Sequence, residues 1–278
     1  MTNSGSTFTV ALWASNIAVP VNGIDAWAAN VDAQMAAAAN DGARLLVMPE
    51  YAAEQWLSFA PGGLSASEEI PWMAEQAPAA LEALRPLPAR HGIALLAGTM
   101  PVARENGGDA EPPHINRAHL LLPDGRVFSQ DKLCLTPSEM NPRGWNLGTG
   151  KRVTIVEWEG LRVATLVCLD IELPGLAARL APFKPDLVLV PSMTETGAGY
   201  HRVFGCARAR ATELYTVVCA VGVIGAAATG KPRAGYRSGA AAYVPSDNAL
   251  GTTGVWAELP LRSGVDGPGP VLLAEDLP

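Results

Sequence analysis

"TFTVALWASNIAVPVNGIDAWAANVDAQMAAAANDGARLLVMPEY", residues 7–51, reads as strand, helix, strand. Residues 7–15 alternate in the two-residue rhythm of a half-buried strand. In 23–42 the apolar residues Ile24, Trp27, Val31 and Met35 recur at helical spacing, the matrix between them is alanine, and Gly42 supplies a stop signal. Residues 44–51 are a short apolar strand broken by Pro49, because proline cannot donate to a sheet ladder. A strand followed by a helix and a second strand is the unit from which parallel sheet is made, so the class is α/β.

Working outward, residues 65–92 predict a helix in two pieces split by Pro78, and 93–100 another buried strand. The style then changes. Residues 115–135 predict an antiparallel hairpin around Pro123-Asp124-Gly125, and residues 153–169 a second one turning near Gly160 and ending on Cys168. A helix is expected over 174–183, a strand over 186–192, a helix over 201–215 and a strand over 216–225. Segments 239–245 and 254–261 read as the last strands. Ten or more strands exceed what one open sheet comfortably holds, and strands this apolar need cover on both faces. The expected architecture is a four-layer α-β-β-α sandwich, two mixed sheets face to face with helices outside, formed as a single domain over 1–278.

Of the 278 residues, 49% are hydrophobic and 17% charged, which is ample for a sizeable core and unlike a disordered chain. The formal net charge of −7 argues against a nucleic-acid-binding protein, whose partner surface is basic. No basic residue precedes Arg44, and the apolar run from Leu214 to Gly230 is short beside the roughly 20 residues of a membrane helix, so neither a secretory leader nor a membrane span is expected. Cys134, Cys168, Cys206 and Cys219 form no CxxC pair, which predicts free thiols and a cytoplasmic protein.

Three strand ends carry residues capable of chemistry. Glu50 directly follows the strand "LLVMP"; alone it reads equally as a solvated loop acid. Lys132, in "FSQDKLCLTPSEM", either faces solvent or meets carboxylates that keep it charged, and Glu139 follows past Pro137. Cys168, in "RVATLVCLDIELPG", is either core filler or a nucleophile, since a thiol needs a cation nearby and an acceptor for its proton before it reacts. Other patterns fall away. Ser129 and Lys132 spell SxxK but lie on a strand, where they point to opposite faces; "GTGKR" lacks the spacing of a phosphate loop; none of His91, His114, His119 and His201 stands in an HExxH arrangement.

"LLVMPEY", "QDKLCLTPSE" and "TLVCLDIELPG", in this order and at these separations, resemble the catalytic segments of the nitrilase (carbon-nitrogen hydrolase) superfamily. "INRAHLLLPDGRV", "DLVLVPS" and "CARARATELYTVV" resemble its supporting segments, so the similarity runs through nearly the whole chain. The resemblance implies Cys168 as nucleophile, Glu50 as general base, Lys132 as the cation at the intermediate, and Glu139 as the second glutamate that orients Lys132. It implies an oxyanion donor in the backbone N–H of Leu169, no metal or cofactor, and pairing into a homodimer or higher homo-oligomer. Two positions depart from the usual pattern, Gly175 where an acid is common and Leu169 where an aromatic is common. The expected substrate is a small amide, with a nitrile or an N-carbamoyl compound as alternatives; a catalytically silent binding protein and acyl transfer to an amine stay open as different outcomes. Tyr51, Trp56, Trp145, Glu172, Glu195, Tyr200 and His201 are expected on loops around the pocket, Glu172 either as a structural acid or as a contact for an amine-bearing substrate. Cys134 is the reserve nucleophile.

Overall fold

The computed structural model describes residues 8–104, 111–229 and 234–278. Thr7, at the start of the first expected strand, and Gly230, at the end of the apolar run, lie outside them. Two mixed sheets are present among the described residues. The first contains β1 (Phe8–Trp13), β2 (Leu45–Val47), β3 (Ala94–Ala103), β4 (His114–Leu121), β5 (Val127–Asp131) and the short β6 (Leu147–Gly148). The second contains β7 (Ile155–Trp158), β8 (Leu161–Thr165), β9 (Leu187–Ser192), β10 (Val217–Gly222), β11 (Ser238–Tyr243) and β12 (Val255–Arg262). A final strand, β13 (Val271–Leu277), returns to the first sheet and pairs antiparallel with β1.

The strand pattern explains the layers. Val10 and Leu12, Leu45 and Val47, and Ala94 and Leu96 point into the core between the sheets, while the intervening Ala11, Leu46 and Leu95 point to the opposite face. That outer face is covered by α1 (Ile24–Asn40), α2 (Ala66–Leu84) and the short α3 (Leu87–His91), through Trp27, Val31, Met35, Ile70 and Met73. One turn of helix, α4 (Pro137–Met140), follows β5, and α5 (Pro174–Leu180) follows β8. The last helix, α6 (Gly197–Leu214), packs on β10, β11 and β12. The result is the expected four-layer sandwich.

Several boundaries differ from expectation, each for a local reason. α2 runs through Pro78, because its buried face of Ile70, Met73, Ala77, Ala80 and Leu84 outweighs one missing backbone bond; the break comes instead at Pro86. α6 begins at Gly197, since the Thr196 hydroxyl caps it by accepting from Gly199 N at 3.0 Å, a start hidden in the sequence by two glycines. Tyr200 and His201 therefore sit on a helix and not on a loop. The 254–261 strand is not the last one: β13 exists because β1 offers it an edge, a non-local cause that its own mixed sequence does not reveal. β8 stops at Thr165, so Cys168 lies beyond the strand.

Topology sets where the loops gather. β1, β2 and β3 are parallel, β4 is antiparallel to β3 and β5 antiparallel to β4, so β5 ends at the same edge as β2. β8, β9 and β10 are likewise parallel. A bridge between Asn16 and Ile224, just past β1 and β10, joins the two sheets at that edge. Segments leaving the carboxyl ends of strands in both sheets thus converge, the usual place for a site in α/β proteins.

The turn after β2 depends on Gly98. Met48 still donates to Leu96 O at 2.9 Å, after which the β3–β4 register shifts and Gly98 takes φ +66°. A β-carbon there would lie 2.1 Å from Pro49 O. Only glycine lets the Pro49 carbonyl approach this closely and tolerates that φ. Gly98→Ala is expected to lower the unfolding free energy by about 3 kcal/mol, from overpacking and left-handed strain together. A urea unfolding midpoint equal to the parent's would contradict this role.

Candidate active site

Three strand ends deliver Glu50, Lys132 and Cys168 to one buried point, with exposures of 1%, 2% and 5%. Glu50 comes from the turn after β2, where Tyr51 is held at φ 49° and its N–H donates to Thr99 Oγ1 at 2.9 Å. Lys132 extends β5 by one residue: its N–H donates to Asn116 O at 2.9 Å and its carbonyl accepts from Gly150 N at 2.7 Å. Cys168 stands at φ 48° at the head of a 3₁₀ turn, Cys168–Glu172, so the chain turns sharply and lifts the sulfur off the sheet. This is the left-handed strain that persists where surrounding structure over-determines it.

Asp170 supplies that over-determination. It accepts from Val167 N at 3.1 Å, Leu133 N at 3.2 Å and Cys134 N at 2.8 Å, tying the cysteine turn to the segment just after Lys132. Burial raises its carboxyl to about 6, against the three N–H donors that pull it down.

The ammonium of Lys132 is the hub. It donates to Glu50 Oε1 at 2.8 Å and to both oxygens of Glu139 at 2.8 Å. Glu139 is held further by Tyr51 Oη at 2.9 Å and by the Thr136 N–H and hydroxyl, each at 2.9 Å; its own N–H donates back to Thr136 Oγ1 at 3.3 Å, completing a capping box at α4. Glu50 Oε1 also accepts from Asn116 Nδ2 at 2.9 Å, and neither of these donors reaches Oε2. Burial alone would lower the Lys132 ammonium, but the charges of Glu50 and Glu139 overcome it and hold the group above its ordinary value. Glu50 is raised to about 7, chiefly by burial and also by Glu139, with Lys132 and the Cys168 thiol opposing. The Cys168 thiol is pushed well above the usual range by burial and by Glu50, against the pull of Lys132, so the resting sulfur is protonated; it donates to Met193 O, with Sγ and the oxygen 3.6 Å apart. A protonated thiol beside a carboxyl poised near neutrality can pass its proton to that carboxyl as the sulfur attacks.

A cavity of about 710 Å³ opens above this point. Trp145, Leu169, Glu172 and Glu195 line it, together with Met193, Thr194 and Tyr236, which nothing in the sequence singles out. Glu172 pairs with Arg202 of α6, so its charge is already met and the amine-contact reading loses its basis. Four expected wall residues are elsewhere. Tyr51 is fully buried behind Glu139; Tyr200 stacks on Phe204 in the core, ring centroids 4.2 Å apart; His201 is exposed on α6. Trp56, buried edge-on to Trp27 at 5.2 Å, is structural. Among the described residues, no group of three or more His, Cys, Asp or Glu is placed to hold a metal ion, and no helix is long and apolar enough to cross a membrane.

Residues 9–241 match the family described as Carbon-nitrogen hydrolase. Among curated proteins, the chain is 36% identical over 105 residues to "Probable hydrolase YhcX" of Bacillus subtilis, covering 37% of this chain and 20% of that protein. It is 35% identical over 104 residues to an (R)-stereoselective amidase of Pseudomonas sp, covering 37% of this chain and 36% of that one. The chain thus matches well under two thirds of the length of either relative. Among solved structures, a mutant amidase of Nesterenkonia sp. AN1, with the acetamide moiety of fluoroacetamide added covalently at its active-site cysteine, superimposes with a TM-score of 0.73 at 23% identity, over 99% of this chain and 92% of that one. At that identity the likeness is one of fold.

The raised Glu50 carboxyl has a consequence for stability. Its folded value of about 7 exceeds the ordinary 4.5, so the folded state binds this proton more tightly than the unfolded chain. The stabilising contribution is therefore complete below the unfolded value and lost as pH rises through about 7. Glu50→Gln, which cannot ionise, should gain thermal stability relative to the parent as pH goes from 5 to about 8.5. A midpoint difference independent of pH would contradict the shift.

Proposed function

The chain belongs to the carbon-nitrogen hydrolase family, and on that premise we propose that it hydrolyses a small linear amide to a carboxylic acid and ammonia through a thioester on Cys168. The observation that carries this reading is the convergence of a buried thiol, a buried ammonium and a carboxyl raised to about 7 beneath one cavity. Residues 1–278 act in it as one domain.

In the first half, Cys168 Sγ attacks the amide carbon while Glu50 takes the thiol proton. The oxyanion is met by the Lys132 ammonium and the backbone N–H of Leu169; removing one such donor typically costs about 3 kcal/mol. The carbon-nitrogen bond then breaks, Glu50 returns its proton to the nitrogen, and ammonia leaves behind a thioester. In the second half, water attacks the thioester carbon as Glu50 accepts a proton, the carbon-sulfur bond breaks, and the thiol is restored. One carboxyl serves as base and acid in turn, which suits a value near neutrality.

Glu139 is the orienting glutamate, since its oxygens are committed to Lys132, Tyr51 and Thr136. The amidase names of the Pseudomonas and Nesterenkonia relatives favour an amide over a nitrile. Leu173, Phe183 and Tyr215, exposed apolar side chains, are consistent with pairing into a homodimer or larger homo-oligomer.

The test is ammonia release from aliphatic, aromatic and amino-acid amides and their matched nitriles. At least one amide should turn over, and Cys168→Ala should lower its kcat by about a thousandfold or more. Added hydroxylamine distinguishes hydrolysis from acyl transfer by its products. Undiminished turnover in Cys168→Ala would overturn the assignment.

A further inference from the structure

Asn116 sits on β4 with no exposed surface, opposite Lys132 where the β4–β5 ladder runs on one step past Asp131. Its backbone carbonyl accepts from Lys132 N at 2.9 Å, and its side-chain amide donates to Glu50 Oε1 at 2.9 Å. One residue therefore touches two members of the charged group, from a strand that supplies neither. The other end of its side chain is unusual: Oδ1 is buried with no hydrogen-bond partner. Turning the amide over would aim that oxygen at the Glu50 carboxylate, so the present orientation is the one the electrostatics allow. A site concerned only with packing would be better filled by leucine, which has similar size and leaves no buried acceptor unsatisfied.

We infer that Asn116 is a positioning residue that decides which oxygen of Glu50 carries the transferred proton. Oε1 faces two N–H donors, from Lys132 and Asn116, and a proton placed there would collide with both. The thiol proton is thereby directed to Oε2. The inference rests on Glu50 as general base. The charged and titratable groups around Glu50 are Lys132 at the end of β5, Glu139 on α4, Cys168 in the turn after β8, and Tyr51 in its own turn. Asn116 adds to them a neutral donor that favours the carboxylate form.

The test needs no substrate: alkylation of Cys168 by iodoacetamide, followed by peptide mass spectrometry across pH, in the parent, Asn116→Leu, Asn116→Ala and Glu50→Gln. Losing the donor should move the acidic limb of the alkylation profile upward by about half a pH unit or more in both Asn116 variants, roughly threefold in rate on that limb. Asn116→Leu should keep the parent's thermal midpoint or exceed it. A limb at the parent's position in either folded variant overturns the inference, whatever happens to the midpoint. If Glu50→Gln slows alkylation while the Asn116 variants leave the limb unmoved, this inference fails alone. If Glu50→Gln alkylates like the parent, the base assignment fails and takes the inference with it.

Discussion

A lysine only 2% exposed, clamped between two carboxylates, is the constraint on which the rest depends. An ammonium taken out of water is tolerated only when its partners are close and fully bonded, and removing one partner of such a pair costs about 3–5 kcal/mol. Every element around Lys132 can be read as meeting that condition. β2 must end where Glu50 reaches it, α4 must turn so that Glu139 presents both oxygens, and Tyr51 and Thr136 must fill what remains of Glu139. The group holds one positive charge among two carboxylates and a thiol, and burial raises Glu50 and keeps the thiol protonated. Proton transfer from thiol to carboxyl is therefore uphill at rest, and the ammonium stands close enough to offset the negative charge it would create.

Holding three strand ends together takes backbone devices that carry no chemistry themselves. Tyr51 and Cys168 both occupy left-handed φ, and each is fixed from outside: Tyr51 by Thr99 and Glu139, Cys168 by the Asp170 carboxylate spanning two segments. Gly98 gives the Glu50 turn room that any side chain would take away. The strain at the two turns is thus balanced by packing in the sheets behind them.

Much of this was legible in the sequence, and the reasons are specific. Strands buried on both faces left no doubt about two covered sheets, and an acid, a lysine and a cysteine each just past an apolar strand marked the converging ends. What stayed hidden was non-local. β13 is a strand because of β1's edge, and α6's start lay under glycines, which moved Tyr200 and His201 from the pocket wall to a helix. Asn116 could have been found: a hairpin turning at Pro123-Asp124-Gly125 sets a register that, extended past Asp131, pairs Lys132 with Asn116, and an asparagine among apolar strand residues then asks for a partner. The pairing of Glu172 with Arg202 had no such signal, because it joins a turn to a helix 30 residues away.

Burial, reinforced by Glu139 and opposed by Lys132, raises the Glu50 carboxyl to near neutrality. Direct titration of its carboxyl carbon by NMR, in protein labelled with carbon-13 at glutamate and assigned by loss of the signal in Glu50→Gln, measures this without a substrate. A midpoint near 7 is predicted. A midpoint near the ordinary 4.5 would mean that burial does not shift this carboxyl.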